Sequence, residues 1–200
     1  WIDRKSNIVY KIYIKVNLLD DQKDIKIRLS QIVKLSHSMK FIPETNHSYE
    51  EDLLVMKQKR LINDKKLQEI EPVQKMILIE NFSQSLDRLY EGGFIHGDIN
   101  RKNIIYSEDK LCLIDFEPSL LQLKNQVKQW MSTRPYRHHE DIQNNNITVK
   151  SDLLGFGCFI KWFLLNSNPP QYYEEQCSKI ITELKLHSFP FKNLTRLLIQ

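Results

Sequence analysis

Two acidic residues and one amide set the chemistry this chain can attempt. Residues 96–103 read His-Gly-Asp-Ile-Asn-Arg-Lys-Asn, which places Asn103 five positions after Asp98. Asp115 follows the apolar run of residues 111–114 and precedes Phe116. A carboxylate can accept a hydroxyl proton or orient the attacking oxygen. A neutral amide oxygen and a second carboxylate are hard ligands that suit magnesium beside phosphates. Together these groups make the set that phosphoryl transfer from ATP requires: Asp98 for the acceptor hydroxyl, Asn103 and Asp115 for the metal. Each residue alone has a plainer reading. Asp98 could cap a turn, and His96 is better placed to pack and hydrogen-bond behind the loop than to move protons.

These residues need elements to hold them. Residues 8–16 are β-branched and aromatic with lysines at matching parity, a strand pattern. Residues 24–39 place Ile25, Leu29, Ile32, Val33 and Leu35 at helical spacings, and Pro43 ends that helix. Residues 53–56 are a short apolar run that reads as a buried strand. The clearest amphipathic helix is residues 70–91, with Val73, Ile77, Phe82, Leu86, Leu89 and Tyr90 expected on its apolar face. Gly92 and Gly93 close it, since glycine accepts a left-handed cap. Residues 103–106 and 110–114 flank Ser107-Glu108-Asp109 as a hairpin ending on Asp115. Residues 152–165 and 172–186 read as two further helices. The order is a mostly β segment with one helix, then a mostly helical segment carrying the chemistry, hinged near residues 57–63.

Composition limits the alternatives. The chain has 200 residues, 41% hydrophobic and 27% charged, which is ordinary for a globular protein. No run approaches the ~18 apolar residues of a membrane span. The net charge of +4 is spread evenly over the two halves, so charge does not suggest nucleic acid. Cys112, Cys158 and Cys177 are odd in number and widely spaced. They read as small hydrophobes in a reduced, cytoplasmic setting rather than as a disulfide or zinc framework. On that reading the Asn-x-Ser/Thr triplets at Asn46, Asn81, Asn146 and Asn193 are chance. The chain opens on Trp1 without a signal-peptide pattern, which places the native start upstream.

The motif of residues 96–103, followed by Asp115-Phe116, resembles the catalytic core of the protein-kinase-like superfamily. The resemblance covers most of the chain and weakens at both ends. It implies an α+β, two-lobed fold: a reduced β-rich N-terminal lobe over residues 1–60 and a mainly helical C-terminal lobe over residues 61–200. Residues 133–140 resemble the end of a protein-kinase activation segment, with His139 in place of a proline. Residues 151–158 resemble the start of the buried helix that anchors the catalytic loop, with Asp152 accepting backbone amides from that loop. Gly97 stands where most protein kinases have arginine, which weakens Ser132 and Thr133 as regulatory phosphosites. Glu117 replaces the usual glycine after Asp-Phe and is similar to small-molecule kinases of the same fold.

The N-terminal half matches less closely. The resemblance implies a strand lysine on the phosphates, Lys11 ahead of Lys15. Arg28 stands where the helix glutamate would pair with it. Met56 falls at the gatekeeper position, with residues 57–60 as the hinge to adenine. No glycine precedes Gly92, so a Gly-rich phosphate loop is absent here, lies upstream, or is replaced by a degenerate turn at residues 4–7. Asn100 replaces a common lysine, and Lys102 is the candidate to supply that charge. The resemblance thus implies ATP and magnesium as cofactors, a protein substrate and transfer to Ser/Thr hydroxyls. Two alternatives stay open: a small-molecule kinase of the same fold, and a catalytically weak scaffold.

Overall fold

The computed structural model describes residues 2–3, 7–14, 22–50, 53–61, 67–116, 136–144, 146–166, 171–184 and 189–199. Lys15, Glu117, Ser132, Thr133 and the Arg28 side chain lie outside what is described. The chain divides into two compact units, Trp1–Ile62 and Asn63–Gln200.

The first unit is a four-stranded antiparallel sheet in the order β1-β2-β4-β3, formed by β1 (Ile2–Asp3), β2 (Ile8–Ile14), β3 (Thr45–Glu50) and β4 (Leu53–Lys59). Helix α1 (Gln22–Ser38) separates β2 from β3. Strand β3 has no apolar alternation, and sequence periodicity does not reveal it. Tertiary hydrogen bonds hold it instead. The Thr45 amide donates to Ser36 Oγ on α1 at 3.1 Å, and Gln58 Nε2 donates to Thr45 Oγ1 at 3.2 Å. The same bonds extend β4 into the first residues of the expected hinge. Residues 57–59 complete β4, because Gln58 is buried and lies between Val9 and Thr45 in register.

The second unit begins with a 3₁₀ turn (Leu67–Glu69) and helix α2 (Pro72–Glu91). Pro72 suits the first helical position, where no amide bond is lost. The buried face of α2 includes the expected Phe82, Leu86 and Leu89 but not Val73 and Ile77. Val73 is 74% exposed and Ile77 48%, whereas Lys75, Leu78, Ile79, Phe82, Ser83, Leu86, Asp87 and Leu89 are buried. Two charges are inside because each closes the end of another helix. Lys75 Nζ donates to the Phe163 carbonyl at 2.9 Å and to Asn166 Oδ1 at 2.6 Å. These groups end α4 (Val149–Leu165), where carbonyls lack helical partners. Asp87 accepts the amides of Phe191 and Lys192 at 2.8 and 3.1 Å, capping α6 (Pro190–Ile199).

Strands β5 (Ile104–Ser107) and β6 (Lys110–Leu113) form the expected hairpin. Glu108 and Asp109 both have positive φ, 52° and 57°, as a two-residue turn with the right twist demands. The Tyr106 hydroxyl donates to Asp109 Oδ1 at 2.7 Å and pins that turn. Helices α3 (His139–Gln143) and α5 (Gln171–Glu183) complete the unit.

The core is centred on α4, whose residues 151–160 are all buried. Phe82, Phe156, Phe159, Phe163 and Phe191 cluster around it, with Phe159 and Phe163 ring centroids 5.3 Å apart. Each such side chain contributes about 1.5–3 kcal/mol by burial, so α4 is the element the unit can least afford to shift. Its start is held by buried Asp141, which accepts from the Thr148 amide, Thr148 Oγ1 and Ser151 Oγ at 2.8, 2.8 and 2.6 Å. All three cysteines are buried and unbridged. No helix among the described residues is long and apolar enough to cross a membrane.

Candidate active site

Residues 94–103 link the end of α2 to β5 without regular structure, so side chains and helix α4 must define their path. Asp152, in the first turn of α4, does most of this. It is buried, and its Oδ2 and Oδ1 accept the amides of His96 and Gly97, each at 2.7 Å. This is the arrangement expected from the sequence. Burial pushes the carboxyl up to about 7, opposed by the two amide bonds.

Gly97 has φ +84°, a conformation side-chain-bearing residues adopt only with strain. An arginine at this position would have to pay that cost. One turn further along α4, Gly155 permits the closest approach of loop and helix. A Cβ there would lie 2.0 Å from the Ile99 carbonyl oxygen. Sequence reading passed over Gly155, although a glycine inside a strongly apolar helix is a signal for close backbone approach. Gly155→Ala is expected to displace the Ile99 backbone. Overpacking of this kind costs about 1–3 kcal/mol or more, and a lowered melting temperature together with lost turnover is the expected readout. A variant with wild-type stability and turnover would show that the loop does not rest on this contact.

His96 is fully buried and has both ring nitrogens engaged. Nε2 lies 2.9 Å from the Ile114 carbonyl, which can only accept, so Nε2 carries the proton. Nδ1 then accepts the Asp98 amide at 3.2 Å. The ring meets Phe116 edge-on at 4.8 Å. His96 therefore ties the loop to the segment that leads from β6 to Asp115, and its bonding leaves it a positioning role.

Asp98 is half-buried. Its carbonyl accepts from Asn100 Nδ2 at 3.0 Å and from Asn103 Nδ2 at 2.9 Å, and its Oδ2 accepts from Asn103 Nδ2 at 3.0 Å. These partners are acceptors, so the Asn103 amide nitrogen is committed to Asp98 and its Oδ1 is the atom left to offer a cation. The Ile114 amide donates to the Asn103 carbonyl at 2.9 Å, which places Asn103 beside the end of β6. Asp115 comes next, half-buried, with φ +71°. Aspartate is one of the few non-glycine residues that tolerates this region, and such strain gathers at functional sites. An amide oxygen and a carboxylate, brought to one end of a hairpin, fit a hard divalent cation such as magnesium.

Asn100 is buried; its Oδ1 accepts the Lys102 amide at 2.8 Å, so it shapes the loop. Lys102 is exposed. In the first unit, Lys11 and Met56 are direct cross-strand partners, and such partners project from one face of a sheet. Met56 is buried and Lys11 half-buried.

Comparisons with known proteins agree with this architecture. The chain belongs to the protein kinase domain family, whose profile matches residues 8–195. The kinase PK-1 of Cydia pomonella granulovirus shares the fold, with a TM-score of 0.62 and 14% identity over 81% of this chain and 62% of that one. The MAPK/MAK/MRK overlapping kinase of Mus musculus is 32% identical over 85 residues, 42% of this chain and 20% of the relative. A probable bifunctional tRNA threonylcarbamoyladenosine biosynthesis protein of Methanosphaera stadtmanae is 31% identical over 126 residues, 58% of this chain and 23% of the relative. The chain thus spans about a fifth of the length of these curated relatives. The fold is α+β, with a small strand-rich unit and a mostly helical remainder.

Proposed function

We propose that this chain transfers the γ-phosphoryl group of ATP to a Ser or Thr hydroxyl of a protein substrate. The observation that carries the reading is the amide of Asn103 clamped on Asp98, beside the strand end that presents Asp115. Asp98 orients the acceptor hydroxyl and takes its proton. Asn103 holds the Asp98 carboxylate in place through its nitrogen and offers its oxygen to magnesium. Asp115 offers the charged ligand. Magnesium, when bound, neutralises charge on the transferring phosphates. Lys11 and Met56 are the proposed nucleotide contacts of the first unit, and Lys102 the proposed phosphate contact of the loop. The whole chain, residues 1–200, is proposed to act as one kinase domain.

The metal assignment is tested with Asp115→Asn. Asparagine tolerates the left-handed backbone and removes the charge, whereas alanine would add roughly 1–2 kcal/mol of backbone cost. The variant is expected to keep its melting temperature without nucleotide and to lose the magnesium-dependent stabilisation by ATP. A wild-type magnesium-dependent shift in the variant would sink the assignment.

A further inference from the structure

The start of α3 carries a cluster that the proposed phosphoryl transfer does not use. His138, His139 and Glu140 each offer one ligand atom, and these atoms lie within 4.8 Å of one another. The activation-segment pattern has proline where His139 stands, so this imidazole is a departure in this chain.

His138 is fully buried. Its Nε2 faces the Ser178 carbonyl at 3.3 Å and Thr182 Oγ1 at 3.4 Å. The Thr182 hydroxyl spends its own hydrogen on that carbonyl at 2.9 Å, so both neighbours of Nε2 are acceptors. Nε2 therefore carries the proton, and the ring's lone pair is on Nδ1. That Nδ1 is buried with no hydrogen-bond partner. An N–H held by a carbonyl is also how proteins fix the tautomer of a metal-bound histidine.

The exposed His139 ring lies against His138, centroids 4.3 Å apart, with Nδ1 3.0 Å from Ser178 Oγ. Glu140 engages Lys150 through Oε2, and the carboxylate retains a second oxygen. A groove of about 590 Å³, lined by Arg137, His139, Ile142, Glu174 and Lys179 among others, opens beside His139.

We propose that His138, His139 and Glu140 form a binding site for a divalent transition metal ion, zinc in first place. Two imidazoles and one carboxylate suit a borderline cation, whereas magnesium prefers oxygen throughout. Tetrahedral zinc with ligands at 2.0–2.2 Å sets them roughly 3.3–3.6 Å apart. Rotation of the His139 and Glu140 side chains closes the remaining gap, and water completes the shell. An occupied site braces the entry to α3 against α5, where both imidazoles already meet Ser178.

The test uses the whole chain, stripped with a chelator and titrated calorimetrically with zinc chloride, without nucleotide or magnesium. The result is therefore independent of phosphoryl transfer. Because His138→Ala would empty a buried position, the decisive variants are His139→Ala and Glu140→Gln. The wild type is expected to bind one zinc ion, and each variant to bind it at least about tenfold more weakly. Cobalt substitution should give the ligand-field absorption of a tetrahedral site in wild type and lose it in His139→Ala. Lys150→Met, which frees Glu140, should bind zinc at least as tightly as wild type. No zinc binding by the wild type, or binding unchanged in His139→Ala, overturns the proposal.

Discussion

Asp98→Asn is expected to lower turnover by roughly 100-fold to 10,000-fold while leaving nucleotide affinity nearly unchanged. The carboxylate is held by the Asn103 amide at 3.0 Å, with the loop fixed behind it by His96 and Asp152. Asparagine at position 98 can keep that bond with its carbonyl oxygen. The variant therefore loses proton acceptance and not loop shape. Nucleotide affinity and phosphoryl transfer, or autophosphorylation, should be measured on the same preparation. Turnover within a few-fold of wild type would remove Asp98 from the catalytic role. A wild type that binds ATP tightly yet transfers to no protein, peptide or small hydroxyl acceptor would make the chain a scaffold.

Asp152→Ala is expected to produce the largest loss of stability. It strands two buried amides, those of His96 and Gly97, which together cost about 2–6 kcal/mol at about 1–3 kcal/mol for each donor. The melting temperature should fall clearly, and turnover should fall with it because the same amides position Asp98. An unchanged melting temperature would show that the loop stands without α4. The pH dependence carries its own sign. Burial raises the Asp152 carboxyl from 3.8 to about 7 in the folded chain. The native state then binds this proton more tightly than the unfolded state does. Its contribution is full below pH 3.8 and is lost as pH rises through 7. The stability gap between wild type and Asp152→Asn should therefore shrink from pH 5 to pH 8. A gap that widens over that range would mean the amides favour the anion more than burial opposes it.

Local chemistry made much of this chain legible. The spacing of Asp98, Asn103 and Asp115 survives as a set because a short loop and a tight hairpin leave little freedom between them. Strand β2, the hairpin and α4 follow from β-branched runs, turn residues and a continuous apolar stretch, all of which act over a few residues. Asp152 was legible too, through the resemblance of residues 151–158 to the helix that anchors a protein-kinase catalytic loop.

Other features were beyond periodicity. Strand β3 is polar and exists because Ser36 and Gln58 supply bonds from elsewhere. On α2, Phe82, Leu86 and Leu89 are buried as expected, but Val73 and Ile77 look like core and are exposed. Lys75 and Asp87 are buried in their place because distant helix ends neutralise the cost of burying their charge. Gly155 matters for an atom of Ile99 far away in sequence, and the lone pair of His138 is exposed as unsatisfied only when Ser178 and Thr182 claim the other nitrogen. The sequence by itself determined which groups could do chemistry and the local elements that carry them, since both rest on neighbours along the chain. Which charges go inside, which backbone atoms touch and which lone pairs lack a donor were decided by the tertiary structure alone, because burial and hydrogen-bond satisfaction depend on partners many residues away.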